Sequence, residues 1–313
     1  MLVRRRFRVR VMQFLYAQYI SGTDSDIVEC NMLHSIDKIY DLYVYLLNLL
    51  LAIRDKASQR IEVAKERRFK VPNGSVSDRK LVNNAFLEIL SKNIYLSDYS
   101  QKNRQLTWKE QEGYISLLFE ELRRWSYYES YMFREETSFE SDKDFILKYY
   151  RTQIKSHQKL SECLEDQYVT WVDDLEIAHE MVYNTLKVIK PATSAHFRLY
   201  TLYKDTEDKD FIIALYRKTL FHYEFFDELI GNTASNWDLK RMAVLDRIIL
   251  QMALCEFLYL PTIPPKVTMN EYIEITKVYS TEKSKVFVNG MLDQLLKILY
   301  DGKKIIKIGK GLM

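Results

Sequence analysis

An all-α fold is what this sequence predicts, and three observations predict it. Breakers are scarce, with eight glycines and five prolines in 313 residues, against roughly 12% in an average protein. Apolar residues recur at helical spacing in segment after segment. No run alternates apolar and polar residues as a half-buried strand would. Hydrophobic residues make up 47% of the chain, enough for a real core, and this length holds one large or two modest domains.

The first helix is expected over 6–20, where Phe7, Val11, Phe14, Leu15 and Tyr19 share one face. Arg4, Arg5, Arg6, Arg8 and Arg10 surround its start, and no acidic residue precedes Asp24. On a helical wheel Arg5, Arg6 and Arg10 project away from the apolar face, while Arg4 and Arg8 flank it and can pack their stems against it. Such a cluster repels itself unless a polyanion neutralises it, and nucleic acid is the expected one. The alternative is a solvated basic terminus. Gly22 ends this helix.

A long helix is expected from Asp24 or Asp26 towards Phe69, apolar at Ile36, Tyr40, Tyr43, Leu47 and Leu50. Pro72-Asn73-Gly74 breaks the chain. Further helices follow over 78–191, one opened by a capping box at Thr107-x-x-Glu110, one by Ser141-Asp142, and one closed by Pro191. Phe211, Leu215, Leu220, Phe225 and Leu229 line one helix stopped at Gly231-Asn232. The next runs over 237–259, and Pro261 to Pro265 forces a turn. A short helix over 269–278 and a last one over 282–300 complete the fold. The lysine-bearing tail after Gly302 is expected to be mobile.

Several function classes are excluded. Five scattered histidines, three distant cysteines and the lack of H-E-x-x-H or C-x-x-C leave no metal site or disulfide framework. No Gly-rich phosphate loop and no G-x-S-x-G is present, and Cys255 sits in an apolar helix as an inert thiol. The chain reads as a non-enzyme without cofactor. The apolar run over 42–53 is too short for a membrane span of about 20 residues. A cytoplasmic protein is expected, although an Arg-rich, acid-free start is also the composition of a mitochondrial presequence.

Arg241-Met242-Ala243-Val244-Leu245-Asp246-Arg247-Ile248-Ile249-Leu250 resembles a core helix of the NusB family of transcription antitermination factors. The string continues in family order through Ala253, Glu256, Leu258, Ile263-Pro264-Pro265-Lys266-Val267, Asn270-Glu271 and Phe287-Val288-Asn289-Gly290-Met291-Leu292-Asp293. The start, Arg4-Arg5-Arg6-x-Arg8 then Gln13-x-Leu15-Tyr16, is similar to the family's RNA-binding first helix. Asn289-Gly290 within a helix suggests a close approach of another backbone.

The resemblance implies a NusB-like helical bundle of two packed subdomains with an extra helical insertion. Residues 1–60 and 205–302 would form the bundle, 61–204 the insertion and 303–313 the tail. It implies an RNA-binding antitermination factor that pairs with the ribosomal protein NusE, binds boxA-like single-stranded RNA and joins the RNA polymerase antitermination complex. Arg4, Arg5, Arg6, Arg8 and Arg10 would grip phosphate. Lys283, where many relatives carry an acid, and Lys285 would add contacts, with Phe287 either a stacking residue or ordinary core. Asp246 is either the NusE contact or half of an internal ion pair. The alternative function is a non-catalytic accessory or scaffold in ribosomal RNA methylation or ribosome assembly.

Overall fold

In a computed structural model, residues 2–66, 78–135, 137–203, 206–233 and 242–312 are described. All regular structure among them is helical, and the chain divides into two units. The terminal unit combines 1–36 with 203–313, and the central unit is 37–202.

The terminal unit is built on α1 (Leu2–Ser21), α11 (Thr206–Phe221), α12 (Tyr223–Thr233), α13 (Val244–Tyr259), α14 (Pro265–Tyr279) and α15 (Glu282–Asp301). Helix α1 packs against α11, α13 and α14. That enclosure explains why Phe7 through Met12 are all buried, including two arginines, because a helix covered on several sides has no polar face to spare. Its C-terminal half emerges: Tyr19, expected on the buried face, is 55% exposed. Gly22 stops the helix at φ +65°, its N–H bonded to the Gln18 carbonyl at 2.8 Å.

The helix expected to run from Phe211 through Leu229 is two helices, broken at His222. His222 stacks on Tyr259 with ring centroids 4.1 Å apart. The apolar spacing survives the break, so periodicity alone could not show it. Pro265 occupies the first turn of α14, which starts earlier than the expected 269 because a proline there costs no hydrogen bond. The predicted start of the preceding helix at 237 lies outside the described residues, as does the Pro72-Asn73-Gly74 break.

The tail is docked and not loose. Lys307 Nζ donates to the carbonyls of Glu256 at 2.8 Å and Leu260 at 3.0 Å, capping the end of α13. Burial lowers its pKa to about 8. Ile308 N–H reaches the Pro261 carbonyl at 3.1 Å. A Cβ on Gly311 would stand 2.0 Å from that same oxygen, so only glycine fits.

The central unit takes in the remainder of α2 (Ser25–Glu66), a helix that belongs to the terminal unit only up to Ile36. The unit therefore begins inside a continuous helix, well before the expected insertion boundary at 61. Its other helices are α3 (Arg79–Val82), α4 (Ala85–Ser91), α5 (Ile94–Lys102), α6 (Glu112–Arg124), α7 (Ser126–Phe133), α8 (Phe139–Tyr149), α9 (Gln158–Gln167) and α10 (Trp171–Val188). A π-turn, Tyr150–Ile154, extends α8.

Caps come from residues other than those expected. Ser138, not Ser141, caps α8 by accepting from Ser141 N–H at 3.2 Å. Thr107 and Glu110 form no reciprocal box; a 3-10 turn, Lys109–Gln111, leads into α6 instead. Asn84 and Asn93, both fully buried, cap α4 and α5.

Aromatic residues fill this core. Tyr45 stacks on Trp108 at 4.2 Å and lies 5.5 Å from Trp171, while Trp125 packs on Phe145 at 6.1 Å. Two buried tyrosines satisfy their hydroxyls on carboxylates: Tyr128 on Asp78 at 2.6 Å and Tyr131 on Asp142 at 2.5 Å.

Candidate nucleic-acid interface

The five N-terminal arginines lie within α1, and the rest of the terminal unit supplies counter-charges to Arg4, Arg5 and Arg8. Arg4 Nε bonds Asp208 of α11 at 2.8 Å. Arg5 holds Glu271 of α14 through two bonds, 2.8 and 3.0 Å. That hydrogen-bonded partner, followed by its charge, raises the Arg5 pKa against the opposing effect of burial. The self-repulsion inferred from sequence is thus offset internally, and it does not by itself require a polyanion.

Arg8 differs in kind. Its side chain is 3% exposed and that of Glu256 is fully buried, joined by bonds of 2.7 and 3.0 Å. Thr268 and Tyr272 each add a 2.9 Å bond to the same carboxylate. Burial alone would lower the Arg8 pKa, but the charge and hydrogen bonds of Glu256 reverse that and raise it. The guanidinium also lies 5.1 Å from the centre of the Phe211 ring. Arg8 is therefore enclosed and is not presented to a phosphate.

Arg10 is 4% exposed, with one nitrogen 3.1 Å from Gln13 Oε1. This corrects its expected outward placement, because α1 is covered on the side that a single apolar stripe would have left open. Arg6 is half-buried, as are Arg4 and Arg5.

A second basic element approaches the same acidic row. Helix α14 places Glu271 and Glu274 on one face at i, i+3. Glu274 is paired with Lys277, which is the main cause of its lowered pKa; the charges of Arg5 and Lys285 lower it further. The charges of Arg5 from α1 and Lys285 from α15 thus both act on this carboxylate. Lys285 lies 3.6 Å from Glu282, Lys283 is exposed, and Phe287 is half-buried. Thr281 caps α15 by accepting from Ser284 N–H at 3.1 Å.

Asp246 faces inward. It is 4% exposed and accepts from Ser280 Oγ at 2.7 Å, fastening α13 to the turn before α15. Its carboxylate is committed to that bond within the terminal unit. The neighbouring Arg247 pairs with Asp227, which also accepts from Gln251. Gly290 shows nothing within 4 Å of an added Cβ, so the expected close backbone approach does not occur in this chain.

Sequence reasoning missed Asp208 and Glu274 as charge partners. The Glu271, Glu274, Lys277 spacing was the signal for one α14 face, but nothing local marks Asp208 or pairs Glu256 with Arg8. Among the described residues no cluster of His, Cys, Asp or Glu could hold a metal, and no helix is long and apolar enough to cross a membrane.

Residues 174–297 match the family model described as NusB family. A protein named transcription antitermination protein NusB from Salinibacter ruber is 44% identical over 110 residues, 35% of this chain and 69% of the relative. One of the same name from Chloroherpeton thalassium is 41% identical over 109 residues, covering 35% of this chain and 52% of the relative. A third, from Syntrophus aciditrophicus, is 38% identical over 122 residues, 38% of this chain and 75% of that one. A solved Thermotoga maritima structure titled NusB aligns at 28% identity over 47% of this chain and 89% of its own. Its TM-score is 0.29, too low for the overlay to inform the fold. The family-model match begins within α10, earlier than the expected 205, and excludes the arginines of α1.

Proposed function

The chain belongs to the NusB family, and on that premise we propose that it acts in transcription antitermination as a non-catalytic RNA-binding protein. Single-stranded, boxA-like RNA is the proposed ligand, with NusE as protein partner within the RNA polymerase antitermination complex. The observation that carries the RNA surface is that α1 and α15 both pack against α14, with Arg5 of α1 paired to Glu271 of that helix. It supports one basic face made from the start of α1 and the first turns of α15.

The phosphate contacts assigned to this face are Arg4, Arg5, Arg6, Lys283 and Lys285, with Phe287 at its edge for a base. Arg8 and Arg10 are left out because they are buried. Single-stranded RNA loses about 0.7 of log–log salt slope per phosphate contact. The arginine share of the slope therefore falls from about −3.5 for five contacts to about −2 for three. Arg4 and Arg5 must exchange Asp208 and Glu271 for phosphate, which trims it further.

Filter binding of a boxA-like RNA across a salt series tests this. The double variant Arg5→Ala with Arg6→Ala is expected to weaken binding and shallow the slope by up to about 1.4. Unchanged affinity and slope would reject the surface. A NusE pull-down with and without the RNA tests the partner separately.

A further inference from the structure

The central unit holds a pocket of about 400 Å³ between the π-turn, the start of α9 and α10. That volume lies within the roughly 300–1,000 Å³ of small-ligand sites and exceeds what a bare anion fills. His157 and His179, distant in sequence, both line it.

One wall is the N-terminus of α9. His157 is its cap: its Nδ1 accepts from Leu160 N–H at 3.1 Å, and its carbonyl accepts from Ser161 N–H at 3.3 Å. Because Nδ1 accepts, the ring proton sits on Nε2, which faces Glu121 at 2.7 Å. His157 therefore orients the helix end and offers no donor to the pocket. The amide of Gln158, which lines the pocket, has no acceptor among the described residues, and the helix dipole favours an anion beside it. Ser161 adds a hydroxyl beside it, while the Ser156 hydroxyl donates to the Thr152 carbonyl at 3.3 Å. Lys155, placed by the i→i+5 bond of its N–H to the Tyr150 carbonyl at 2.9 Å, adds a cation with no carboxylate partner among the described residues.

An independent observation comes from α10. His179 is 4% exposed and gives Nδ1 to the Tyr150 hydroxyl at 2.7 Å. Its other ring nitrogen has no partner among the described residues and is not sealed off, so it opens to the pocket. Burial lowers its pKa to about 4; the ring is neutral at pH 7 and suited to a hydrogen bond. Glu176, one turn earlier on α10, lines the same space, and Val172 and Leu175 supply an apolar wall.

We propose that this pocket binds a small phosphomonoester with a hydroxylated body, such as a sugar phosphate. The phosphate sits on the Gln158 amide and Lys155. The body lies along Val172 and Leu175, with its hydroxyls on His179 and Glu176. This is a small-ligand function of the central unit, separate from the basic face of α1 and α15.

The test follows amide and ring resonances of the full-length chain during titration with ribose 5-phosphate, inorganic phosphate and ribose. Ribose 5-phosphate is expected to shift Gln158 and the His179 ring saturably, phosphate more weakly, and ribose not at all. Lys155→Glu, an exposed substitution that leaves the core alone, should weaken ribose 5-phosphate about tenfold or more. His179→Gln should weaken ribose 5-phosphate while leaving inorganic phosphate nearly unchanged. The proposal is overturned by the absence of saturable shifts up to about 10 mM, by equal shifts with ribose, or by a Lys155→Glu protein that binds as its parent does.

Discussion

Replacing Arg8 by methionine separates an architectural arginine from an RNA-binding one. The Glu256 carboxylate receives four hydrogen bonds, two of them from Arg8, and is fully buried. Removing the cation strips half of those donors and leaves a buried charge hydrogen-bonded by Thr268 and Tyr272. Breaking a buried pair from one side costs about 3–5 kcal/mol, because the remaining ion must stay desolvated or take up a proton. Urea unfolding followed by circular dichroism at pH 7 should show a loss of this size with an unchanged m-value. The companion Arg8→Met with Glu256→Leu removes both charges from the apolar site and should recover much of the loss. RNA binding of the folded variant should keep its parent's salt slope. The reasoning is refuted if Arg8→Met stays within about 1 kcal/mol of its parent and its slope shallows by about 0.7. That outcome would place Arg8 on phosphate.

Two further predictions concern stability. Gly311→Ala puts a Cβ 2.0 Å from the Pro261 carbonyl oxygen, which expels the tail at a cost of about 1–3 kcal/mol; trypsin should then cleave faster at the exposed Lys303 and Lys304, and an unchanged urea midpoint and cleavage rate would contradict the docking. His179 has a folded-state pKa of about 4 against 6.5, so the unfolded chain takes up its proton first as pH falls. Its contribution is present above pH 6.5 and lost by pH 4, at most about 3 kcal/mol; His179→Gln should flatten that part of the acid unfolding curve, and a wild-type profile would show the ring to be solvated.

Local chemistry was legible. Gly22 as the stop of α1 and the turn begun at Pro261 each act within a few residues, and a reader of sequence sees those residues together. What depends on distant partners was not. Arg8 lies 248 positions from Glu256, and nothing around either residue announces the other. The apolar stripe of α1 implied one buried side, so Arg10 seemed outward until α11, α13 and α14 covered it. Asp246 beside Arg247 suggested an ion pair, but each took another partner, Ser280 and Asp227. The lysines after Gly302 looked like a solvated tail because charge is usually exposed; Lys307 instead spends its charge on carbonyls at the end of α13. The two pocket histidines seemed scattered because the turn joining α9 to α10 is what brings them together.

The packing of Trp108, Trp125 and Trp171 into the central unit has a spectroscopic consequence. The fourth tryptophan of the chain, Trp237, lies outside the described residues. Emission from the three placed indoles reports on the central unit, since indole fluorescence follows the polarity and quenchers immediately around the ring. A substitution to phenylalanine at 237 would make that emission specific to the central unit. Ligand entry beside α10 could then be followed by light while RNA binding at α1 is followed on the nucleic acid, giving two readouts of one sample with no attached dye on the protein.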